Sequence, residues 1–475
     1  MSAYQHPLYT KLLPFWKKHR DCFAGEETVK AAATEYLPAT QSMIEDGIAN
    51  ASDDGAKFYA SYNKRAVFPE YVSDAVSSYL GMMHRNPPTV QLPAELEYLR
   101  ESATVSGDSV NDLLMLLNEQ QLIMGRVVIL LDVKVVDGKP VFYIAVYFGE
   151  SAINWDSSDQ GNLELTILDE SGPVREGFNW VDKKQYRVLQ LQNGVYTQYV
   201  TEDLTDAQLG TPVLVQGKPL ESMVPLVYIN TKDNNPTPEI GPMEPLCNEC
   251  LAIYRGEADY RQSLFMQGQD TLVTVGGVRN ALNTEGDSSE LRTGIGSRID
   301  LDIGGDAKYI GVNSSGLSEQ REALKNDRTR AEKRAGRLIS DDVGVNTSGE
   351  SLRVRITAQS ATLKGIAMTA SSAVQYLFRE AAKWIGVDPL AVIITPNQEF
   401  IDVSVDIAAL APFMNSVKEG GLPLSLETIH KYLKARGMTD LTFDDELAKI
   451  QQEPKLGLVP VVKPASGNGT ATQGE

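Results

Sequence analysis

The sequence predicts an α+β chain, and three observations carry the prediction. Two runs of β-branched and aromatic residues, "RVVILLDVKVV" (126–136) and "PVFYIAVYF" (140–148), are joined through Asp-Gly-Lys. That is a hairpin signal, because Asp-Gly accepts the positive φ of a tight primed turn. Two helical patterns, 245–268 and 316–340, enclose a stretch of short strands and glycine turns. A third and longer helical pattern follows at 352–386.

Taken in order, residues 1–80 read as helices and connections, among them "EETVKAAATEYL" and "PEYVSDAVSSYLGMM". "HRNPPTVQLP" (84–93) then forces extended backbone, since the residue before a proline is excluded from the helical region. "SVNDLLMLLNEQQLIMG" (109–125) is a helix closed by Gly125 as its C-cap. After the hairpin, alternating strands continue to about residue 230, with turns at "DESG" and "QNG". The proline-rich junction "KDNNPTPEIGPMEP" (232–245) marks a change of character.

From Pro245 a helix runs to about Gly268. "TLVTVGG", "SRIDLDIGG" and "AKYIGV" then read as strands with glycine turns. Helix returns at "GLSEQREALKNDRTRAEKRAGRLI", with Ser318 placed to cap it and Glu322 in its first turn. The loop "SDDVGVNTSGES" leads into the long helix, in which Gly365 and several β-branched residues predict a bend. Two short helices, "IAALAPFMNSVKEG" and "LSLETIHKYLKARG", close the folded part. The second opens on an imperfect capping box, Ser425 with Thr428 where Glu is preferred. "FDDELAKI" (443–450) reads as a helix start with acids at the positive end of the dipole. Residues 454–475 have the composition of a disordered tail.

Composition narrows the function. The chain has 475 residues and a formal charge of −19, which argues against a protein that coats nucleic acid through many phosphate contacts. No secretory signal or membrane-spanning run is seen, so the chain is expected to be soluble and cytosolic. Its three cysteines, Cys22, Cys247 and Cys250, are no disulfide framework. The CxxC of Cys247 and Cys250 has no second pair to complete a zinc site, and both thiols are expected simply to lie on a helix.

Against that acidic background, "RTRAEKRAGRLISDDVGVNTSGES" (328–351) gathers arginines just before a glycine-flanked acidic loop. On a helical wheel Leu317, Leu324, Ala331, Ala335 and Leu338 form one narrow seam with Ile339 at its edge, and Arg330, Lys333, Arg334 and Arg337 are read on the opposite side. A narrow seam rich in small residues suits close contact with neighbouring helices. Twelve such helices about 10 Å apart would enclose a ring about 38 Å across between axes, leaving an opening of about 28 Å, enough for a DNA duplex.

The order of these segments resembles the portal proteins of tailed double-stranded DNA bacteriophages, in particular the shorter portal group. The resemblance covers nearly the whole chain to about residue 453 and rests on five stretches. They are "FPEYVSDAVSSYLGMMHRNPPTVQLP", "LIMGRVVILLDV" followed by "SAINW", "PLCNECLAIYRGEADYRQSLFMQGQDTLVTVGG", "GLSEQREALKNDRTRAEKRAGRLI" and "GLPLSLETIHKYLKARGM". It implies an α/β wing (1–242), stem helices at 243–268 and 316–340, and a small β-rich clip at 269–315 between them. It further implies a tunnel loop (341–351), a kinked wing helix and strand (352–400) and a short helical crown (401–453), all assembled as a ring, usually of twelve. The implied role is the DNA channel at one capsid vertex, for packaging, retention and ejection. The implied partners are the major capsid protein, the terminase large subunit and a head–tail adaptor, with the virion as location after assembly in the host cytoplasm. DNA-channel candidates are Arg330, Lys333, Arg334 and Arg337 on the helix, and Asp341, Asp342, Asn346 and Thr347 in the loop. In that role acidic walls keep phosphates from adhering, while a few basic positions steer the duplex through weak, salt-screened contacts.

Two alternatives stand beside it. A metal-dependent enzyme would use clustered carboxylates, but Asp300, Asp302 and Asp306 lack the glycine placement and bidentate Glu of a calcium loop and read as a strand. There is no GxxxxGK[ST], HExxH or GxSxG motif, so the chain is expected not to be an enzyme and to need no cofactor or metal. His6, His19, His84 and His430 are scattered and read as surface or satisfied residues. The other alternative is a different head–tail connector component, although adaptors are usually much shorter.

Overall fold

The computed structural model describes residues 4–136, 139–158, 161–205, 209–267, 271–275, 304, 306–310, 315–335, 349–398, 425–434, 439 and 441–452. The fold is α+β, as the sequence predicts. The chain divides into one unit of residues 1–400 and a second of residues 401–475.

The first unit opens with five helices: α1 (Pro7–Ala24), α2 (Glu26–Ala31), α3 (Gln41–Glu45), α4 (Asp54–Arg65) and α5 (Tyr71–Met83). Pro7 sits at the start of α1, where a missing N–H costs nothing, and His6 Nδ1 accepts the Leu8 N–H at 3.1 Å. The extended prolines then give β1 (Thr89–Gln91). A full capping box starts α6 (Val110–Met124): Ser109 Oγ accepts from Asp112 N, and Asp112 accepts in return from Ser109 N. Gly125 ends it in the left-handed region at φ +77°, as expected.

β2 (Arg126–Val136) and β3 (Lys139–Phe148) form the predicted hairpin, paired antiparallel from Val127–Phe148 to Val136–Lys139. Next come β4 (Ala152–Ser157), β5 (Leu163–Asp169), the hairpin β6 (Gly172–Glu176) and β7 (Asn179–Lys183), then β8 (Tyr186–Gln192) and β9 (Val195–Thr201). The "QNG" turn between β8 and β9 has Asn193 at φ +53° and Gly194 at φ +79°, the two positive values of a primed hairpin turn. Short pieces β10 (Thr211–Pro212), β11 (Leu214–Val215) and β12 (Lys218–Pro219) precede β13 (Leu226–Asn230).

Strands β13, β2 and β3 make one sheet and β10, β9, β8, β5 and β4 another. Residues 126–131 and all of β13 are buried, so these strands read as continuous apolar runs instead of alternating. The two sheets meet through a hydrogen bond between Thr166 of β5 and Tyr228 of β13, and a tilted Trp155–Tyr228 ring contact.

The second half of the unit holds α7 (Glu244–Gln267), the antiparallel pair β14 (Thr271–Val275) and β15 (Asp306–Ile310), α8 (Ser315–Ala335), α9 (Gly349–Ile385) and β16 (Ile393–Thr395). β16 pairs with β1, tying the end of this unit to its beginning. Two expectations are corrected, the capping of α8 and the end of the loop before α9. Helix α8 begins at Ser315, so Ser318 lies inside it and does not cap it, and Glu322 lies beyond the first turn. Leu317 explains the shift, because this half-buried first residue of the apolar seam belongs inside the helix. The boundary of the expected loop also moves, since 349–351 are already helical; helix propensity in "ESLR" extends α9 upstream of 352. α9 runs unbroken through Gly365 and buries Leu363, Ile366, Val374, Leu377 and Phe378 with small alanines between them.

In the second unit, the described helices are Leu426–Lys434 and Phe443–Gln452. Ser425 Oγ accepts from Thr428 N at 3.1 Å and meets the Thr428 hydroxyl at 2.8 Å, so the imperfect box still caps. Asp444, Asp445 and Glu446 occupy the first turn of the last helix, as the sequence reading placed them. The expected helix at 407–420 and the tail 454–475 lie outside the described residues.

Candidate functional site

Small residues decide how closely α7 and α8 meet. A Cβ built on Gly256 of α7 would stand 2.9 Å from Leu324 Cδ2 of α8, so the absence of a side chain lets Leu324 seat against the facing backbone. Leu324 and Ala331 are buried there. Two carboxylates of α7 brace the contact. Glu257, only 4 % exposed at its side chain, accepts from Arg261 Nε at 2.7 Å and from Arg328 of α8. Glu249, 13 % exposed, pairs with Arg334 at 3.2 Å and with Arg330 Nε at 3.7 Å. Residues 249, 256 and 257 thus meet 334, 324 and 328, so the two helices are antiparallel. The arginine ends are roughly half exposed, and solvent screening limits each pair to about 1 kcal/mol.

The base of the pair is held by the rest of its unit. Glu244, at the start of α7, receives Lys18 Nζ at 2.6 Å and His19 Nε2 at 2.7 Å. Burial holds the His19 imidazole below its ordinary 6.5, outweighing the pull of Glu244. Burial would raise Glu244, but hydrogen bonds from Lys18, His19 and Asn248 hold it below the usual carboxylate value. The pair is therefore neutral imidazole and ionised carboxylate. Farther along α7, Tyr254 donates to Asn63 Oδ1 at 2.5 Å and Tyr62 to Asp259 Oδ1 at 2.5 Å. On α8, Tyr71 donates to Glu332 at 3.2 Å and Tyr79 to the Ala335 carbonyl at 2.9 Å. At the other end of α7, Leu264, Phe265 and Met266 are exposed as the chain leaves for β14. Arg65 of α4 also reaches this end, bonding Gln262 and lying 4.1 Å from the Phe265 ring centroid, so the body holds α7 along most of its length and the strand pair β14–β15 follows beyond it.

The structure separates the basic candidates. Arg330 and Arg334 were read opposite the apolar seam, and this is corrected: both turn toward α7 and pair with Glu249. At about 100° per residue, Arg334 lies only roughly 60° and Arg330 roughly 100° from Ala331, within reach for long side chains. Lys333, roughly 160° from Ala331, is exposed and makes no ion pair among the described residues. It shares its stripe with exposed Glu319, Glu322 and Asn326. Arg337, Asp341, Asp342, Asn346 and Thr347 lie outside the described residues.

The sequence reading missed a second basic face. Arg261, Arg321, Lys325 and Arg328 line a groove of about 530 Å³ between α7 and α8, with Glu257 and Glu332. The spacing of 321, 325 and 328 along one helix face was the available signal. The acidic partners Glu249 and Glu257, two turns apart on α7, were missed as well.

Cys247 and Cys250 lie on α7 as expected, fully buried beside Cys22 of α1. The hydrogen bond to Cys22, with burial, pushes the Cys247 thiol far above its ordinary range, and burial pushes Cys250 up to about 12. All three act as core thiols, not nucleophiles. Among the described residues no group of three His, Cys, Asp or Glu is placed to hold a metal ion. The histidines are held internally: His6 stacks on Trp155, His84 bonds Asn118, and His430 meets Phe443 edge to face. Among the described residues no helix is long and apolar enough to cross a membrane.

Residues 242–385, which run from α7 to the end of α9, match a family described as a domain of unknown function, DUF4055. No curated protein matches the chain. Among solved structures, the neck of a native GTA particle computed with C12 symmetry is similar at a TM-score of 0.38 and 12 % identity, over 75 % of this chain and 88 % of that one. The virion of a native gene transfer agent (GTA) particle gives 0.38 and 14 %, over 77 % and 89 %. The neck of an empty GTA particle computed with C6 symmetry gives 0.39 and 13 %, over 84 % and 93 %.

Proposed function

We propose that the chain is the subunit of a portal-type ring, a structural component of a tailed-phage particle through which double-stranded DNA passes at one capsid vertex. One observation carries this reading. α7 and α8 form an antiparallel pair packed on the α/β body, which holds α7 from Glu244 to Phe265 and the C-terminal half of α8, and the strand pair β14–β15 continues from their other ends. Such a rod makes sense when copies stand side by side around an axis. The anchored body is the wing, the paired helices are the stem, and β14–β15 belong to the clip.

In this reading the exposed stripe of Glu319, Glu322, Asn326 and Lys333 faces the channel. Its carboxylates repel phosphate, and Lys333 supplies an isolated, weakly attractive charge that salt screens over about 10 Å. Arg330 and Arg334 hold the stem together through Glu249. The ring docks a packaging motor and, later, an adaptor. The chemistry is passive: the subunit positions DNA and hydrolyses nothing.

The test is a paired substitution in a packaging assay with assembled capsids. Lys333→Glu changes packaging or retention and leaves rings intact, whereas Lys325→Glu, in the groove between the helices, leaves DNA handling unaltered. Loss of rings in Lys333→Glu would show instead that this face joins subunits, and equal effects of both would remove the channel assignment.

A further inference from the structure

The hairpin β6–β7 projects without cover. Every residue from Pro173 to Lys183 is exposed, including Val174, Phe178, Trp180 and Val181. Gly177 takes φ +65° at the first turn position, which places Phe178 at the tip, 97 % exposed. Trp180, 68 % exposed, stands opposite Arg175 across the hairpin. A two-stranded hairpin of this size is marginal alone in water, and two bare aromatics on it indicate a surface that is covered in the working assembly.

The same chain carries a matching socket. A groove of about 410 Å³ has an apolar floor of Leu163, Met223, Val227 and Tyr376 and a polar rim that includes Asn162, Ser222 and Ser372. Its volume suits an aromatic side chain. Socket and plug lie at opposite ends of β5: Leu163 opens that strand at the groove, and Asp169 closes it just before the hairpin, roughly 20 Å away. The charges agree. Exposed Glu221, next to the lining residue Ser222, has no ion-pair partner among the described residues, and Arg175 beside the plug likewise has no carboxylate partner among them.

We infer that Phe178 of one copy enters the groove beside Tyr376 of the next copy, with Arg175 set against Glu221. Plug and socket on one chain make a head-to-tail contact, which propagates from copy to copy and closes into a ring when the rotation allows. The inference rests on the ring reading and adds to it a specific contact in the wing. The two aromatics can cover roughly 300–500 Å², short of the roughly 800 Å² a stable interface buries on each partner. Other surfaces therefore share the interface.

The test uses full-length chains carrying one new cysteine each, Phe178→Cys or Tyr376→Cys; the three native thiols are buried. Mixed and oxidised, the two variants are expected to give a cross-linked dimer containing one chain of each kind, well above homodimers. Phe178→Asp with Trp180→Asp is expected to weaken each contact roughly tenfold or more and lower the ring population at fixed concentration. If wild-type protein forms rings but the mixed cross-link is absent and the double variant assembles normally, the plug contact is overturned and the ring reading stands. The hairpin then meets a different protein. If wild-type protein forms no rings and no mixed cross-link, both fall together.

Discussion

Glu257 is the residue whose loss the helix pair should feel most. Its buried carboxylate joins Arg261 and Arg328, and Glu257→Ala strips both arginines of their partner on the line where α7 meets α8. We expect a loss of about 2 kcal/mol in urea denaturation, against a few tenths for the exposed Lys333→Ala. The titrating groups give a second expectation. His6, His19 and His84 are all held below the ordinary 6.5, first by burial, and Glu244 is held below 4.5. A depressed folded value means that the unfolded chain binds the proton more readily. The stability from the histidines is present above about pH 6.5 and is lost as pH falls below it, with Glu244 adding its share below about pH 4.5. Thermal midpoints should therefore fall from about pH 7 to about pH 5, and His19→Gln should flatten part of that slope. Little of this was legible beforehand. The sequence shows that His19 and Glu244 exist, but their meeting across 225 positions is a product of the tertiary fold. The arginines misled for a related reason, because a wheel places a Cα and says nothing about a long side chain reaching around its own helix.

Elements were far more legible than contacts. Periodicity located α6, α7 and α9, and turn chemistry located the β2–β3 and β8–β9 hairpins, since Asn-Gly and a C-cap glycine act through local backbone energetics. The start of α8 was placed within one residue of Ser315, but Ser318 was mistaken for its cap, because the seam beginning at Leu317 already lies in the helix. Gly125 shows where local and tertiary demands coincide. It holds φ +77°, and a Cβ there would approach Gly241 Cα to 2.8 Å, where the chain enters α7. Gly125→Ala should cost about 1–3 kcal/mol by combining left-handed strain with a backbone clash. The same substitution at Gly365, where a Cβ meets nothing and no positive φ is needed, should be neutral or stabilising by up to about 1 kcal/mol. Comparing the two variants by denaturant midpoint separates the packing account from a generic glycine effect.

At the scale of the whole molecule, a charge of −19 and a channel for DNA are compatible only if the acidic surface keeps the duplex from sticking. In the proposed ring the paired helices α7 and α8, packed on the body, are the staves of that channel. The proposed ring was legible in the order of the segments, while the hairpin and the groove of the proposed contact depend on strand order and on the packing of α9, which the sequence alone does not give. The most direct measurement is electron microscopy of the purified full-length protein, paired with its native mass. The account predicts closed rings, twelve subunits in the usual case, with a central opening of about 28 Å. A homogeneous monomer, or a closed particle with no hole, under conditions that support capsid assembly would contradict it.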